Sequence, residues 1–477
     1  MNKSFIRHSL SLCVGIESLF LMLTSLIALI YHERGFLAYF LTGFIVGLPA
    51  LYSISKRPKN SVFFAKEGFV LVALSWIVLS MIGTVPLLLL GEASNFVDAL
   101  FEIVSGFTTT GATIVPDVAV LSHSLLFWRS FAHLIGGMGV LVFALAIMEN
   151  SKNSHLEVMR AEVPGPVFGK VVSKLKETAQ ILYVIYLSMF AILVVILIVA
   201  GMPAFDSVIT AMGCAGTGGF GVYNDSIAHY NSSLITNIVS IAVLLFGINF
   251  NLYYFLLLRK FKAFFKDEEL RTYIGIVMIA TALIWLNVSG LYPSTGKALE
   301  NSLFEVANVM TTTGFGVTDL TVWPLFAQVI LLFLMFVGGS AGSTAGGIKV
   351  MRTLILTKIA RNQVLSTLYP HRIMTIHINE QPLDKEIQHG VLKYLTLYVF
   401  LLLGLTLMLS LDNNNFMVVV SAATSTFNNI GPMLGTSQTF AIFSPFSKLL
   451  MSFAMIAGRL EIYPMLLLFI PKTWSKY

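Results

Sequence analysis

Charged residues are scarce in this sequence. Of its 477 residues only 11% are charged, whereas 56% are hydrophobic. A soluble domain carries about 25% charged residues, so this chain has too few to cover a water-exposed surface. Apolar runs long enough to cross a bilayer, roughly 17 to 25 residues, recur along its whole length. The sequence therefore predicts an integral membrane protein with many helices.

Cysteine is almost absent as well. Cys13 and Cys214 are the only two, and both lie in apolar surroundings, so neither a disulfide framework nor a metal cluster is supported. The chain also lacks a Walker loop, a dinucleotide fingerprint and a nucleophile elbow. A membrane-embedded enzyme or respiratory subunit would need paired intramembrane histidines or carboxylates, and the spans do not offer them at suitable spacing. We therefore expect a protein that is not an enzyme and has no covalently bound cofactor.

The positive charges are unevenly distributed. Of the 30 lysines and arginines, 25 fall in the N-terminus, four connecting segments and the C-terminal tail. Positively charged segments stay on the cytoplasmic side of a membrane, so we expect both termini in the cytoplasm. The first apolar run, Ser9 to Ile30, has no cleavage site after it, and we expect it to be retained. This distribution explains the net charge of +6 without nucleic acid.

One arrangement recurs four times: an apolar span, a short helical piece, a polar turn with glycine, and a second span. The turns are "GFTTTGAT" (106–113), "AGTGGFG" (215–221), "TTTGFG" (311–316) and "TFNNIGP" (426–432). Their alignment places four glycines in register: Gly111, Gly219, Gly314 and Gly431. A piece of about ten residues covers roughly 15 Å, half the hydrocarbon thickness, so each piece has to enter the membrane and return on the same side.

Irregular backbone at membrane depth is tolerated only inside protein or along a water-filled cavity. Four such turns predict an all-α polytopic membrane protein with four pseudo-symmetric helix–pore loop–helix repeats around one ion pore. Two extra transmembrane helices precede the repeats, which gives ten spans. The predicted divisions are residues 1–60 for the leading helices and 61–150, 151–265, 266–375 and 376–477 for the repeats. The alternative is that small-residue turns only allow close helix packing.

The residue types in the turns suit the coordination of a cation. A ring of backbone carbonyls can replace an ion's hydration shell, glycine permits positive φ, and the C-terminal ends of the half-helices carry partial negative charge. Five acids on or near these half-helices would concentrate cations at the entrance: Asp98, Glu102, Asp206, Glu300 and Glu305. The alternative for all five is that they stabilise the N-termini of short helices, and we favour it for Asp98, Asp206 and Glu300.

Three further blocks accompany the turns: "WRSFAHLIGGMGVLVFALAI" (128–147), "GGSAGSTAGGIKVMR" (338–352) and "AGRLEIYPMLLLF" (457–469). Together, blocks and turns resemble the TrkH-type subunit of bacterial Trk potassium uptake systems, in the Trk/Ktr/HKT superfamily, over essentially the whole chain. The resemblance implies potassium uptake across the bacterial cytoplasmic membrane by a homodimer in which each protomer has its own pore. It also implies a cytoplasmic, nucleotide-binding regulatory subunit of the TrkA kind.

The resemblance further implies which residues bind the ion. The expected filter residues are the four glycines in register and those just before them: Thr109, Thr110, Gly111, Thr217, Gly218, Gly219, Thr312, Thr313, Gly314, Asn429, Ile430 and Gly431. Relatives that pass sodium often have serine at the first glycine, so Gly111 favours potassium. A sodium or sodium–potassium transporter of the HKT kind is the alternative. The second turn has an extra glycine and the fourth departs from the threonine pattern.

A glycine-rich stretch predicts a gate. The fifteen residues from Trp323 to Val337 cover only about 22 Å as helix, and "GGSAGSTAGG" (338–347) follows with little helix propensity. At membrane depth this loop has to line the pore; the alternative is a kink for helix packing. The predicted gate residues are Gly338, Gly339, Gly342, Ser343, Thr344, Gly346, Gly347 and Arg459. Arg459 is a basic residue deep in a span, and its alternative role is a structural pair with a backbone carbonyl or a carboxylate.

Overall fold

The structure is a computed structural model of the chain, and it describes residues 2–56, 65–139, 175–369, 371 and 374–474. Helices account for most of the described residues. The predicted boundaries at 60/61 and 150/151 lie outside the described residues.

Two helices, α1 (Lys3–Ile30) and α2 (Gly35–Ser55), form a tight N-terminal hairpin. The side chain of Asn2 begins α1, because its oxygen accepts a hydrogen bond from the Phe5 amide at 3.1 Å. The two helices approach closely where α2 presents glycine. The Ser18 hydroxyl donates to the Gly43 carbonyl at 2.6 Å, and a β-carbon on Gly47 would lie 2.4 Å from the Ser18 hydroxyl. Small residues therefore determine this packing.

Each repeat begins with a long helix: α3 (Ala65–Leu90), α6 (Leu175–Val199), α11 (Glu268–Val288) and α15 (Lys385–Leu409). A half-helix of 12 to 16 residues follows: α4 (Phe96–Phe107), α7 (Ala204–Gly216), α12 (Thr295–Met310) and α16 (Phe416–Asn428). After the turn comes a second helix: α5 (His123–Gly137), α8 (Ser233–Phe246), α13 (Leu325–Val337) and α17 (Pro445–Arg459). The predicted four-part repeat is thus present four times.

Polar caps fix where the short helices begin. In three half-helices, the first-turn amides donate to a capping side chain: Asn95, Ser294 and Asn415. Three of the second helices begin in the same way, after Ser122, Ser232 and Ser444. The first amides of a helix have no intrahelical partner, and a side-chain oxygen at the start satisfies one of them. Isolated polar residues in an apolar sequence therefore set these helix boundaries.

The repeats close into a ring through helix packing. The second helix of each repeat packs against the half-helix of the next: α5 against α7, α8 against α12, and α13 against α16. The last second helix, α17, packs against α4 of the first repeat. This cyclic order brings the C-terminal ends of all four half-helices together.

Among the described residues, six helices are long and apolar enough to cross a membrane: those at 3–30, 35–55, 66–90, 179–199, 268–291 and 385–409. Three of the second helices are interrupted within the described residues. After α8 the chain bends by 91° into α9 (Phe250–Leu257); α14 (Val350–Leu368) follows α13, and α18 (Tyr463–Phe469) follows α17. Sequence analysis predicted such a break only in the third repeat; in the second and fourth repeats the second span is also divided into two helices.

Small elements complete the described chain. Two are short helices: α10 (Phe261–Lys266) and α19 (Pro471–Trp474). Five are 3-10 turns: Val118–Val120, Ser226–Tyr230, Ser289–Leu291, Leu320–Val322 and Phe440–Ile442. The strands β1 (His377–Ile378) and β2 (Gln381–Pro382) pair antiparallel, and this hairpin is a small departure from the predicted all-α fold.

Candidate functional site

The four turns share one backbone conformation. The glycines in register all have positive φ: 76° at Gly111, 73° at Gly219, 86° at Gly314 and 106° at Gly431. Two residues before each glycine the backbone is also left-handed: 55° at Thr109, 53° at Thr217, 55° at Thr312 and 58° at Asn429. The same alternation at the same spacing in all four turns is what the sequence register predicts. This backbone conformation reverses the chain in the same way in all four turns.

Each half-helix ends in the same hydrogen bond. The amide of the residue before the glycine donates to a carbonyl in the last turn of the helix: Thr110 to Ser105 at 2.9 Å, Gly218 to Gly213 at 2.8 Å, Thr313 to Asn308 at 2.8 Å, and Ile430 to Ser425 at 2.9 Å. This closure is of the Schellman type, and the left-handed residue within it turns the chain away from the helix. Each turn therefore begins at the partially negative end of a helix dipole.

The turns meet in a closed ring that follows chain order. A β-carbon on each glycine would collide with a carbonyl oxygen of the next turn: 1.9 Å from Gly218 at Gly111, 2.0 Å from Thr313 at Gly219, 2.2 Å from Ile430 at Gly314, and 2.7 Å from Thr110 at Gly431. Only a residue without a β-carbon leaves room for these oxygens. Four carbonyl oxygens thus occupy equivalent positions: those of Thr110, Gly218, Thr313 and Ile430. The twelve predicted filter residues all lie in this ring.

Opposite turns are alike, whereas neighbouring turns differ. The hydroxyls of Thr108 and Thr110 lie 2.8 Å apart in the first turn, and those of Thr311 and Thr313 lie 2.7 Å apart in the third. The second and fourth turns have glycine, asparagine or isoleucine at these positions. Because the ring follows chain order, the two threonine pairs face each other across its axis.

A buried carboxylate supports the chain that leaves the first and third turns. Glu102 accepts a hydrogen bond from the Ile114 amide at 3.0 Å, and Glu305 accepts one from the Val317 amide at 3.0 Å. The two glutamates occupy equivalent positions, but only the first has a cation beside it, since Arg129 lies 2.7 Å from Glu102. Within the part of the chain that the structure describes, no basic side chain pairs with Glu305.

His133 on α5, which was not among the predicted site residues, supports the ring. Its Nδ1 lies 2.7 Å from the carbonyl oxygen of Gly106, near the end of α4. The His133 ring stacks on the Phe220 ring, with 4.4 Å between centroids. The Arg129 guanidinium lies 4.0 Å from the centre of the Phe220 ring. A β-carbon on Gly218 would lie 2.4 Å from the histidine ring. The signal that could have found His133 is its place one helical turn after Arg129.

Each of the other three predicted acids has a side-chain partner: Asp98 with Lys448 at 2.7 Å, Asp206 with Tyr230 at 2.9 Å, and Glu300 with Lys297 at 2.6 Å. Asp98 and Asp206 lie in the first turns of α4 and α7, as the helix-stabilising alternative predicts. Glu300 does not, because α12 begins earlier, at Thr295. These acids therefore stabilise helices and connections.

The predicted gating loop, residues 338–347, packs against the ring. All ten residues are buried or half-buried. The Gly346 amide donates to the Thr312 hydroxyl at 2.6 Å, and a β-carbon on Gly346 would lie 2.0 Å from the Asn428 carbonyl oxygen. Two backbone hydrogen bonds of 3.0 Å join the loop to the break after α8: Ser340 to Gly247 and Phe250 to Gly342. The loop thus connects the third and fourth turns to the second repeat.

Arg459 is buried and reaches the same loop. Its guanidinium donates to the carbonyl oxygens of Thr344 at 2.7 Å, Gly136 at 2.7 Å and Gly137 at 2.6 Å. These partners are those of the alternative role, a structural pair with backbone carbonyls, and they also place the charge against the loop. The helix α17 begins at Pro445 as expected but ends at Arg459. The residue therefore lies at a helix end and not within a continuous span.

The C-terminal ends of α5 and α17 also contact half-helices closely. A β-carbon on Gly136 would lie 1.8 Å from the Phe107 carbonyl oxygen, and one on Gly458 would lie 1.9 Å from that of Phe427. Both phenylalanines stand four residues before a ring glycine. Glycine at these breaks weakens the helix and admits the end of a half-helix. The glycines were visible in the sequence, but their meaning depends on contacts between distant segments.

The polar atoms that the ring brings together are backbone carbonyl and threonine hydroxyl oxygens. No group of three or more His, Cys, Asp or Glu side chains suited to a metal ion is found in the described ranges. The fold and the ring together define a class: multi-span membrane proteins whose four repeats close a ring of backbone oxygens, as pore-forming transport proteins do. The chain belongs to the TrkH family of cation transport proteins, whose sequence profile matches residues 36–476.

Individual relatives match over their full length. The chain is 33% identical to the Trk system potassium uptake protein TrkH of Salmonella typhimurium, covering all of both chains. It is 31% identical to the Trk system potassium uptake protein TrkG of Escherichia coli, covering 99% of this chain and 100% of that protein. The crystal structure of the potassium transporter TrkH from Vibrio parahaemolyticus superposes with a TM-score of 0.89 at 30% identity, covering both chains fully. The predicted family and fold class are confirmed.

Proposed function

We propose that this protein carries potassium ions across the bacterial cytoplasmic membrane through a pore whose selectivity filter is the ring of four turns. The observation that supports this most is the set of four equivalent carbonyl oxygens, each held against a glycine of the neighbouring turn. Such rings replace the hydration shell of a cation. Relatives of the chain are named as potassium uptake proteins, which supports the choice of ion.

The filter atoms belong to the residue before each glycine and to the glycine itself. The half-helices direct partial negative charge towards the ring, which favours a cation over an anion. Gly111 keeps the first position free of a side chain, where relatives that pass sodium often have serine. This favours potassium over sodium.

The loop at 338–347 and Arg459 form the gate. The loop contacts the ring through Gly346, and Arg459 holds the loop at Thr344. A fixed positive charge about 4 Å from a cation pathway costs a passing ion about 4 kcal/mol at an effective dielectric constant near 20. Ion passage therefore requires the loop to move and the charge of Arg459 to be withdrawn from the pathway.

The subunit composition is inferred from the family resemblance, and the orientation in the membrane from the charge distribution. We infer a homodimer with one pore in each protomer, and a cytoplasmic nucleotide-binding regulatory subunit of the TrkA kind that acts on the gate. Both termini lie in the cytoplasm, because they and the connecting segments on the same side of the membrane contain most of the lysines and arginines.

The function is tested by ion flux into liposomes that contain the purified protein, with and without the regulatory subunit. We expect potassium and rubidium to enter, and sodium to enter much more slowly. Absence of potassium and rubidium flux under both conditions would overturn the proposal. Equal sodium and potassium flux would favour the sodium–potassium alternative. Rescue of a potassium-uptake-deficient bacterium at low potassium is the matching test in cells.

A further inference from the structure

One buried carboxylate holds both ends of the loop. Glu269 lies in the first turn of α11, and its side chain is only 2% exposed. Its Oε1 accepts hydrogen bonds from the Ala341 amide at 2.6 Å and from the Met351 amide at 3.1 Å. Ala341 lies near the start of the loop and Met351 lies in the first turn of α14. Residues ten apart in the chain are therefore fixed to one oxygen, which has two lone pairs to accept them.

The break after α8 holds two points near the start of the loop, Ser340 and Gly342. Two further contacts hold its later half. Gly346 is bonded to Thr312 of the ring, and Thr344 is bonded to Arg459. Within the described ranges, Glu269 is the side chain that bonds to both sides of the glycine-rich segment. Because one oxygen accepts both hydrogen bonds, removal of the Glu269 side chain would release both ends of the loop at once.

The same helical turn reaches the cytoplasmic elements of the third repeat. Glu268 forms an ion pair with Lys358 on α14. The Asp267 carboxylate accepts a hydrogen bond from the Asn379 side chain at 2.8 Å, and the Glu268 amide donates to the same side chain at 2.8 Å. Asn379 lies in the turn between β1 and β2. Three consecutive residues therefore link the loop, α14 and the hairpin.

We propose that Glu269 is the positioning residue of the gate: its hydrogen bonds to Ala341 and Met351 hold the loop in place beside the ring. We call this pair of hydrogen bonds the latch. When the latch breaks, the loop is free to move. The proposal rests on the proposed function, because it assigns the latch to a gate of that pore. Neither sequence periodicity nor the glycine pattern of the loop indicates a role for the Glu269 carboxylate. A ligand or subunit that displaces the first turn of α11 would act on the loop through this contact.

The test compares three variants of the full-length protein in liposomes without the regulatory subunit. Glu269→Ala removes the acceptor, Glu269→Gln keeps an acceptor oxygen but removes the charge, and Glu268→Gln changes only the neighbouring ion pair. We expect potassium flux to rise by about tenfold in Glu269→Ala, because loss of the hydrogen bonds to both loop ends destabilises the closed state by roughly that factor. Glu269→Gln should give a smaller rise, and Glu268→Gln a change below about twofold.

Hydrogen exchange of residues 338–351 gives a readout that does not depend on ion flux. The amides of this segment should exchange faster in Glu269→Ala than in the wild type, whereas peptides from the ring turns should not change. Unaltered exchange and unaltered flux in a folded Glu269→Ala protein would overturn the latch. If Glu269→Ala does not fold, the same two measurements on Glu269→Gln decide the question.

Failure of the latch differs from failure of the proposed function. If the wild type conducts potassium and Glu269→Ala conducts no faster, only the latch is wrong. If no variant and no wild-type protein conducts potassium, with or without the regulatory subunit, the pore itself is wrong, whatever the exchange data show.

Discussion

The first and third turns of the ring have the same sequence, "TTTG", but different surroundings. Their glycines have similar φ, 76° at Gly111 and 86° at Gly314. Each turn has a pair of hydrogen-bonded threonines and a glutamate that supports the chain after it. Local sequence therefore sets the shape of a turn, because the same residues give the same backbone in two distant parts of the chain.

The surroundings come from other segments. The first turn is backed by Arg129 and His133, which fill the space between it and the second turn. Among the described residues no arginine–histidine pair backs the third turn; its Thr312 hydroxyl instead accepts a hydrogen bond from the Gly346 amide of the loop. We call the first turn, which Arg129 and His133 support, the fixed side of the ring. The third turn lies on the side that contacts the proposed gate. Four predictions test this comparison.

The largest effect is expected for the two supporting glutamates. Glu102→Gln leaves the buried Arg129 without its anion, and breaking a buried pair in this way costs about 3 to 5 kcal/mol of stability. Glu305→Gln keeps an acceptor for the Val317 amide and should cost at most about 1 kcal/mol. Thermal unfolding in detergent measures both. Equal destabilisation would show that the two sides of the ring are held alike, and a second change, Arg129→Met, should restore much of the stability of Glu102→Gln.

The next effect concerns Arg459, which joins Gly136 and Gly137 on the fixed side to Thr344 in the loop. Arg459→Ala should raise potassium flux per folded protein by about a hundredfold, since removal of roughly 3 of the 4 kcal/mol of repulsion has that effect on a rate. Arg459→Lys should keep most of the barrier. Loss of folded protein with no gain in flux would instead assign Arg459 a purely structural role.

Substitution of a ring glycine should change ion selectivity by about tenfold, because a side chain would displace a carbonyl oxygen of the neighbouring turn. Gly111→Ser and Gly314→Ser should have similar effects if the ring is symmetric. The control is Gly316→Ser, because a β-carbon there would meet no atom within 4 Å. Competition between sodium and potassium during uptake provides the measurement. Unchanged selectivity in Gly111→Ser would remove this residue from the filter.

The smallest effect separates the two threonine pairs. Thr110 also accepts a hydrogen bond from the Asn429 side chain at 3.0 Å, whereas Thr313 pairs with Thr311. Thr110→Val should therefore cost about 1 to 2 kcal/mol of stability and Thr313→Val about 1 kcal/mol. Chemical or thermal unfolding of both variants checks the order. A larger cost for Thr313→Val would reverse the assignment of the fixed side.

Much of the ring could be predicted from the sequence. Glycines such as Gly111 and Gly314 stand in register because the backbone itself requires positive φ and close approach, and these requirements leave a local signature. Half-helices are visible for a similar reason, since an apolar piece of limited length between two spans has few places to go.

What the sequence did not reveal depends on contacts between distant segments. The role of His133 is set by Phe220 in the next repeat, and the position of Arg459 at a helix end is set by left-handed backbone at Glu461 and Ile462. In the sequence, Glu269 is one of two acids in the first turn of a helix, a common position for a carboxylate. Its meaning depends on where the loop returns, which residue spacing alone does not determine.

The most direct test of the central claim is to locate rubidium in the protein by anomalous diffraction. Crystals grown in rubidium chloride should show an ion on the axis of the ring, coordinated by the carbonyl oxygens of Thr110, Gly218, Thr313 and Ile430. In Gly111→Ser crystals the same peak should weaken or move. Rubidium bound only outside the ring, with these four oxygens unoccupied, would contradict the assignment of the ring as the selectivity filter.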